Sequence, residues 1–350
     1  MPSTDKPLPG ISVIVTAHDQ CDELRRNLPL ILNQIYPNFE VLVVDMNSQD
    51  GTEKLLEKME EEYHNLRHTF TPATGRDIST QRLAITLGVK ASTYPWFALT
   101  QADCTPISHQ WLRRMGESIA NHRAAEMAIG YTRYPQPRNY TERRQNFHHL
   151  WQEMHILRYA PKHGAYRNEG TNLVYKKELF LSHQGFASHA NLLMGATDIM
   201  INQNSTMNNT AVCLHPEAIM QQDIPVRKKW IQDRLYFEET KRHFTHKWFF
   251  RLRYYGSIIL HALLVTLLLS SLVLAILQQE YVVAGIVIIL SLLHTALQGI
   301  MLNATSKALN DRYINHVQTA WFIHLLPFWH LRILMQYIFG NKQKYRKKYI

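Results

Sequence analysis

The sequence predicts an α/β fold, a mixed but mainly parallel sheet layered by helices, followed by a C-terminal helical membrane region. Three observations carry this. Ile11 to Thr52 reads as strand, helix, strand (ISVIVTAHDQ, Asp22 to Tyr36, FEVLVVDMNSQDGT), a β-α-β unit whose helix repeats Leu24, Leu28, Ile31, Leu32 and Ile35 at helical spacing. Pro95 to Thr100 (PWFALT) adds another buried strand. Gly256 to Leu277 and Tyr281 to Leu302 each run about 22 residues without a formal charge, the length a bilayer core demands. The organisation that follows is a domain over residues 1–245 and a membrane region over 246–350.

Within the first domain, an open parallel sheet binds ligands outside the carboxyl ends of its strands, and there lie Asp45, Asn47, Ser48, Asp50 and Gly51. Asp50 serves equally well as a helix cap, because the Ser48 to Thr52 turn needs one. Asp45 ends a wholly apolar strand, where a ligand role is the better reading. Glu53 to Tyr63 reads as an acidic surface helix and Ile78 to Ala91 as a second helix. The strand ending at Thr100 runs into Gln101, Ala102, Asp103 and Cys104, so another acid stands at a strand end. Asp103 is suited to a divalent cation that holds a phosphate, since hard cations take carboxylate oxygen. Capping the helix around Trp111 to Ile119 falls better to Ser108. Neither a P-loop nor a dinucleotide fingerprint occurs, which argues against kinases, ATPases and dehydrogenases.

His148, His149 and His155 cluster on a predicted helix, but no metal-binding spacing or partnering carboxylate completes a site, so packing is the expectation. Gly170 to Tyr175 reads as a turn and a short strand. Asp198 stands just before the helical run Ile199 to Asn204, as a general base or a cap.

The net charge of +10 concentrates in Arg227 to Arg253 and Lys342 to Lys348, both flanking apolar segments. That distribution suits a membrane surface and not nucleic acid. Three cysteines, Cys21, Cys104 and Cys213, without metal spacing fit a reducing compartment. MPSTDKPLPG has no apolar signal region, which assigns the first domain to the cytoplasm. Between the two apolar segments lie only Gln278, Gln279 and Glu280, whereas Lys247, Arg251, Arg253, Lys307 and Arg312 flank them. By the positive-inside rule the hairpin tip faces out. Val317 to Phe339 carries His324, Pro327, His330 and Arg332 among aromatics and reads as an interfacial or re-entrant segment before a basic tail. His261 and His294, inside the spans, are expected to pack against helix neighbours, and no pathway for a transporter is evident.

SVIVTAHDQ, VVDMNSQDGT, GRDISTQRLAITLGVKAS, QADCTPISHQWL, EGTNLVYKKELF and GFASHANLLMGATD occur in the order and at the approximate spacing of one family. Over roughly Ile11 to Phe244 the chain resembles the family 2 inverting glycosyltransferases, with the GT-A fold. The resemblance implies a nucleotide-sugar donor, a divalent cation (Mg or Mn), and one displacement in which a carboxylate deprotonates the acceptor hydroxyl. By matching position Thr16, Ala17 and His18 border the nucleotide with Asn47, Asp45 binds the base, Gln101 meets ribose or phosphate, and Asp103 holds metal and diphosphate. In KKWIQDRLYF the candidates for closing the acceptor and diphosphate site are Trp230, Gln232, Arg234 and Tyr236; a basic interfacial helix is the equal alternative.

Two positions depart from the family pattern. The first acid of its DxD motif is Gln101, and the usual base position is Thr197, leaving Asp198 as the substitute. The implied function is membrane-anchored sugar transfer from a nucleotide donor to a lipid-linked or polysaccharide acceptor at the cytoplasmic leaflet. The alternative is a catalytically degenerate protein that binds nucleotide sugar or partners an active transferase.

Overall fold

The computed structural model describes residues 7–72, 79–187, 192, 195–244, 248–311 and 316–340. The first β-α-β unit is β1 (Ile11–Ala17), α1 (Cys21–Leu32) and β2 (Phe39–Asp45). Helix α1 ends at Leu32, four residues before the end of the expected Asp22 to Tyr36 segment, and Ile35 is left 55% exposed. Next come α2 (Thr52–Glu62), β3 (Leu66–Phe70), α3 (Thr80–Ala91), β4 (Trp96–Gln101), β5 (Cys104–Pro106), α4 (Trp111–Asn121), β6 (Met127–Gly130) and β7 (Thr132–Arg133). The domain is completed by α5 (Tyr140–His163), β8 (Leu173–Lys176), α6 (Lys177–Ser182), α7 (Ala196–Asn204), β9 (Thr210–Cys213), β10 (Met220–Gln222) and α8 (Arg227–Thr240).

Seven strands form one sheet in the order β3-β2-β1-β4-β8-β6-β9. The β3-β2-β1-β4 run is parallel, β8 lies antiparallel between β4 and β6, and β9 is parallel to β6. The expected mixed, mainly parallel sheet is therefore present. Its β1 is buried along its whole length because both faces are covered. One face packs Val13 and Val15 with α1 and α4 residues such as Leu28 and Trp111; the other packs Ile14 and Val44 with Ile85 of α3 and Phe147 of α5. Gly88 of α3 permits close contact there, since a Cβ would sit 2.6 Å from Ile14 Cγ2. A small second sheet, β5-β10-β7, lies at the strand ends.

The C-terminal region is α9 (Trp248–Leu277), α10 (Tyr281–Ala308) and α11 (His316–Phe339). Ile258–Leu277 and Tyr281–Ala308 are long and apolar enough to cross a membrane, and are mostly unburied within the chain. Leu260, Leu263, Leu267, Val282 and Leu292 are all more than 60% exposed. The segment expected to be interfacial or re-entrant is one continuous helix, α11, through Pro327. Its Phe322 and Trp329 pack on Phe147 of α5, so it joins the globular domain. His294 Nε2 and His261 Nδ1 share a hydrogen bond at 3.1 Å, and Thr295 of α10 meets His324 at 2.8 Å, the helix packing expected of the first two. Lys247, Arg312, the basic tail and most of the stretch 188–194 lie outside the described residues.

Candidate active site

Two strand-end turns are laced together beyond β1 and β2. His18 Nδ1 meets the Met46 carbonyl at 2.9 Å, the Asp19 amide donates to Ser48 Oγ, and the Gln49 amide donates to Asp19 Oδ1. Asp50 accepts from the Cys21 amide at 2.7 Å and from Thr52, so it caps the starts of α1 and α2, the structural half of its two readings. Asp45 is 6% exposed and accepts from the Ser48 amide and hydroxyl. Thr16 and Ala17 are buried within β1 at 5% and 0% exposure, whereas His18 and Asn47 are exposed at the rim. Asn47 sits at φ 61, where a short polar side chain is tolerated.

β4 delivers Gln101 and Asp103 to the same edge. Asp103 is 6% exposed; Gln222 Nε2 donates to both its oxygens at 3.3 Å, and Lys229 Nζ of α8 lies 3.7 Å away. Burial works against the Lys229 ammonium, but the Asp103 and Asp233 carboxylates outweigh it and hold its pKa above the usual lysine value. Ser108 caps ahead of α4 by accepting from the Gln110 amide, which leaves Asp103 without that duty. For a divalent cation the fit is through one carboxylate: Gln101 offers an amide, and among the described residues no group of three His, Cys, Asp or Glu side chains is placed to hold a metal. A magnesium-like ion bound by one carboxylate and substrate phosphates is compatible with that set. Lys229 would have to give up its pairing.

Helix α8 closes over these strand ends. Trp230 is 4% exposed against the His148 ring, with Arg144 and Arg234 over its own ring at 5.6 and 5.4 Å. Gln232 Nε2 donates to the Tyr236 hydroxyl at 3.2 Å. Arg234 is 6% exposed, makes no ion pair among the described residues, and leaves its Nε without a hydrogen-bond partner. A buried guanidinium without an ion pair is costly unless an anion completes it.

Asp198, in the first turn of α7, is 5% exposed and gripped at both oxygens by Arg167, Nε to Oδ1 and Nη2 to Oδ2, each at 3.1 Å. Burial pushes its pKa up to about 6 despite the guanidinium. Thr197 is also buried, packed against Gly170, where a Cβ would sit 2.9 Å from Thr197 Cγ2. Neither residue of the expected base motif presents an open carboxylate. Two acids that sequence reasoning did not single out stand in the cluster instead. Glu169 Oε1 accepts from Arg167 at 2.7 Å, its side chain 32% exposed, and Gln101 Nε2 donates to its backbone carbonyl at 3.3 Å. Burial raises the Glu169 pKa, but Arg167, Arg234 and His149 outweigh it and hold the carboxyl below its usual value. Asp233 lies near Lys229, Glu169 and Asp103, and burial pushes it up to about 7. Lys229 and Asp233 acquire meaning only once α8 folds near Asp103, and Glu169 once its turn meets Gln101 and Arg167.

The clustered histidines are packing residues, as expected. His149 Nε2 donates to the Thr132 carbonyl at 2.6 Å and stacks on Tyr134, while His148 packs on Trp151 and Trp230.

Comparison with known proteins gives the family and fold likeness of the chain. Residues 12–183 match the sequence model described as Glycosyl transferase family 2. The glycosyltransferase AglE of Haloferax volcanii is 28% identical over 132 residues, 37% of this chain and 41% of that protein. The probable glycosyltransferase YdaM of Bacillus subtilis is 30% identical over 105 residues, 29% of this chain and 24% of its own length. The chain thus spans less than half of either relative. Among solved structures, the mannosyltransferase PcManGT from Pyrobaculum calidifontis, in complex with GDP-Man and Mn2+, superposes with TM-score 0.57 at 17% identity, covering 97% of this chain and 92% of that one. That likeness shows a GT-A-like fold, and residues 12–183 carry a glycosyl transferase family 2 domain.

Proposed function

We propose that the chain is a membrane-anchored glycosyltransferase that moves a sugar, with inversion, from a nucleotide-sugar donor to a lipid-linked or polysaccharide acceptor, of the kind cell envelopes contain. The observation that carries it is Arg234, a buried guanidinium without an ion pair among the described residues, on the same helix whose Lys229 reaches Asp103 at the end of β4. Such a set suits a nucleoside diphosphate: base against the laced turns, phosphates between Asp103 and Arg234. In the reaction an acceptor oxygen bonds to the anomeric carbon as the bond from that carbon to phosphate oxygen breaks, and the diphosphate departs with the electron pair. Arg234 and Lys229 lie where they can neutralise that developing charge, which fixed cations in a partly dry site do well. Asp103 would be the protein ligand of a divalent cation, which supplies further charge neutralisation on the diphosphate.

The acceptor reading rests on position. A cavity of about 270 Å³ lies between α5 and the C-terminal helices, lined by Trp151, Met154, His155, Ile258, Leu302 and Leu326 among others. Apolar lining beside two helices of membrane-crossing length favours an acceptor carried on a lipid, with the catalytic domain on the cytoplasmic face.

The test is nucleoside-diphosphate release from a panel of nucleotide sugars with magnesium or manganese and membrane lipid. Turnover that disappears in Asp103→Ala and falls in Arg234→Ala supports the transferase. Donor binding without turnover in the intact protein supports the second reading, a degenerate partner protein, which Gln101, Thr197 and the clamped Asp198 favour.

A further inference from the structure

The two departures from the family pattern have one compensating residue. An acid is missing at Gln101, an acid is missing at Thr197, and Asp198 is locked onto Arg167 with its side chain 7% exposed. Glu169 stands between these positions. Arg167 bridges Asp198 and Glu169, and its grip on Glu169 is at Oε1 alone; no hydrogen bond to Oε2 is formed by any described residue. The backbone of Glu169 is tied to the end of β4 by the Gln101 amide. A carboxylate at position 101 would repel that carbonyl, so the amide belongs to the same arrangement as the acid it serves. Gly170, at φ 75, lets the chain turn immediately after Glu169 and pass close to Thr197. Asp233 and Glu153, the other part-exposed acids of the cluster, have no hydrogen bond to fix them among the described residues.

Resting on the transferase reading, we propose that Glu169 is the general base of this chain, its Oε2 taking the proton of the acceptor hydroxyl, with Arg167, Asp198 and Gln101 as positioning residues. The proton passes from acceptor oxygen to carboxylate, the acceptor oxygen forms the new glycosidic bond, and the bond to the diphosphate breaks with its electrons leaving on phosphate. A base held at one oxygen by a guanidinium, itself held by a second buried acid, keeps its open oxygen in a fixed direction, as general base catalysis requires.

The experiment uses the full chain in vesicles of total membrane lipid, with the nucleotide sugar giving the most diphosphate release. Glu169→Gln is expected to leave donor affinity within about twofold and to lower the melting temperature less than Asp198→Asn does, while diphosphate release falls about a hundredfold or more. Glu169→Asp recovers part of the rate. Asp198→Asn is expected to lower the melting temperature and, below it, to cost less rate than Glu169→Gln. Undiminished turnover in Glu169→Gln overturns the proposal, as does loss in Asp233→Asn with retention in Glu169→Gln, which moves the role to α8. Should the intact chain bind donor and release no diphosphate with any sugar, the transferase reading itself fails and the base falls with it, an outcome distinct from a silent Glu169.

Discussion

Arg234 and Asp198 illustrate what a single buried charge can say. Arg234 has aromatic company but no ion pair, so truncating it should cost affinity for nucleoside diphosphate and little stability. A charge-assisted hydrogen bond to phosphate contributes about 1.5–3 kcal/mol, so Arg234→Ala should weaken diphosphate binding by about 10- to 150-fold in a titration, with Arg234→Lys recovering part because one fork of donors is lost. Asp198 behaves in the opposite way. It is bound on both oxygens by Arg167, and Asp198→Ala leaves that guanidinium, 4% exposed, with Glu169 alone. Breaking a buried pair costs about 3–5 kcal/mol, and the remaining Glu169 contact argues for the lower end; thermal unfolding should show a clear drop. A variant that instead melts normally would mean the pair does not hold α7 in place.

At the scale of elements, α8 folded over the ends of β4 and β10 decides the electrostatics. Lys229 competes with any divalent cation for Asp103, so Lys229→Ala should tighten Mn2+ binding, read by the ion's resonance signal, by about three- to tenfold for a competing pair of roughly 1 kcal/mol. The acids under α5, α7 and α8 also set a pH dependence. Burial pushes Glu153 up to about 8, Asp233 to about 7 and Asp198 to about 6. Carboxyls whose folded pKa exceeds the unfolded one bind protons more tightly when folded, so their contribution is present at low pH and lost as pH rises through 6 to 8. Stability should fall from pH 6 to pH 9, and Glu153→Gln should flatten part of that fall; an unchanged slope would refute it.

Much of this scale was legible beforehand. The β-α-β unit, β4, α2 and α4 follow from runs long enough to show a period, and Asp45 and Asp103 stand out because an acid ends an apolar strand. β3 was missed because LRHTF is an edge strand with polar residues, and β6 and β9 because four residues (MAIG, TAVC) carry no period; pairing makes them strands. Glu169, Lys229 and Asp233 were illegible for another reason. Lys229 and Asp233 are ordinary charges on a helix until α8 meets the strand ends, and Glu169 is an ordinary turn residue until Arg167 and Gln101 fix it.

For the whole molecule, the question is whether the C-terminal helices are a tether or part of the fold. Tyr131, just after β6, donates to Asp311 at 2.5 Å, and Arg133 Nη1 donates to the Asn310 carbonyl, so the end of α10 is latched to the sheet region. Phe322 of α11 is 1% exposed between Tyr140 and Phe147. A tether would leave the domain intact when removed; these contacts would not. Residues 1–244 expressed alone should therefore unfold at lower temperature than the full chain in detergent, and Phe322→Ala in the full chain should cost about 3–5 kcal/mol, the range for emptying a buried aromatic site. Equal melting of the short and full chains would return the helices to the role of a simple anchor. The same latch makes orientation testable, because Cys21, Cys104 and Cys213 are all buried and leave a low labelling background. On the proposed orientation, with the hairpin tip facing out, Gln278→Cys in intact cells should react with a membrane-impermeant maleimide. A cysteine shielded until the membrane is opened would put the tip, and with it the sense of the whole protein across the bilayer, the other way round.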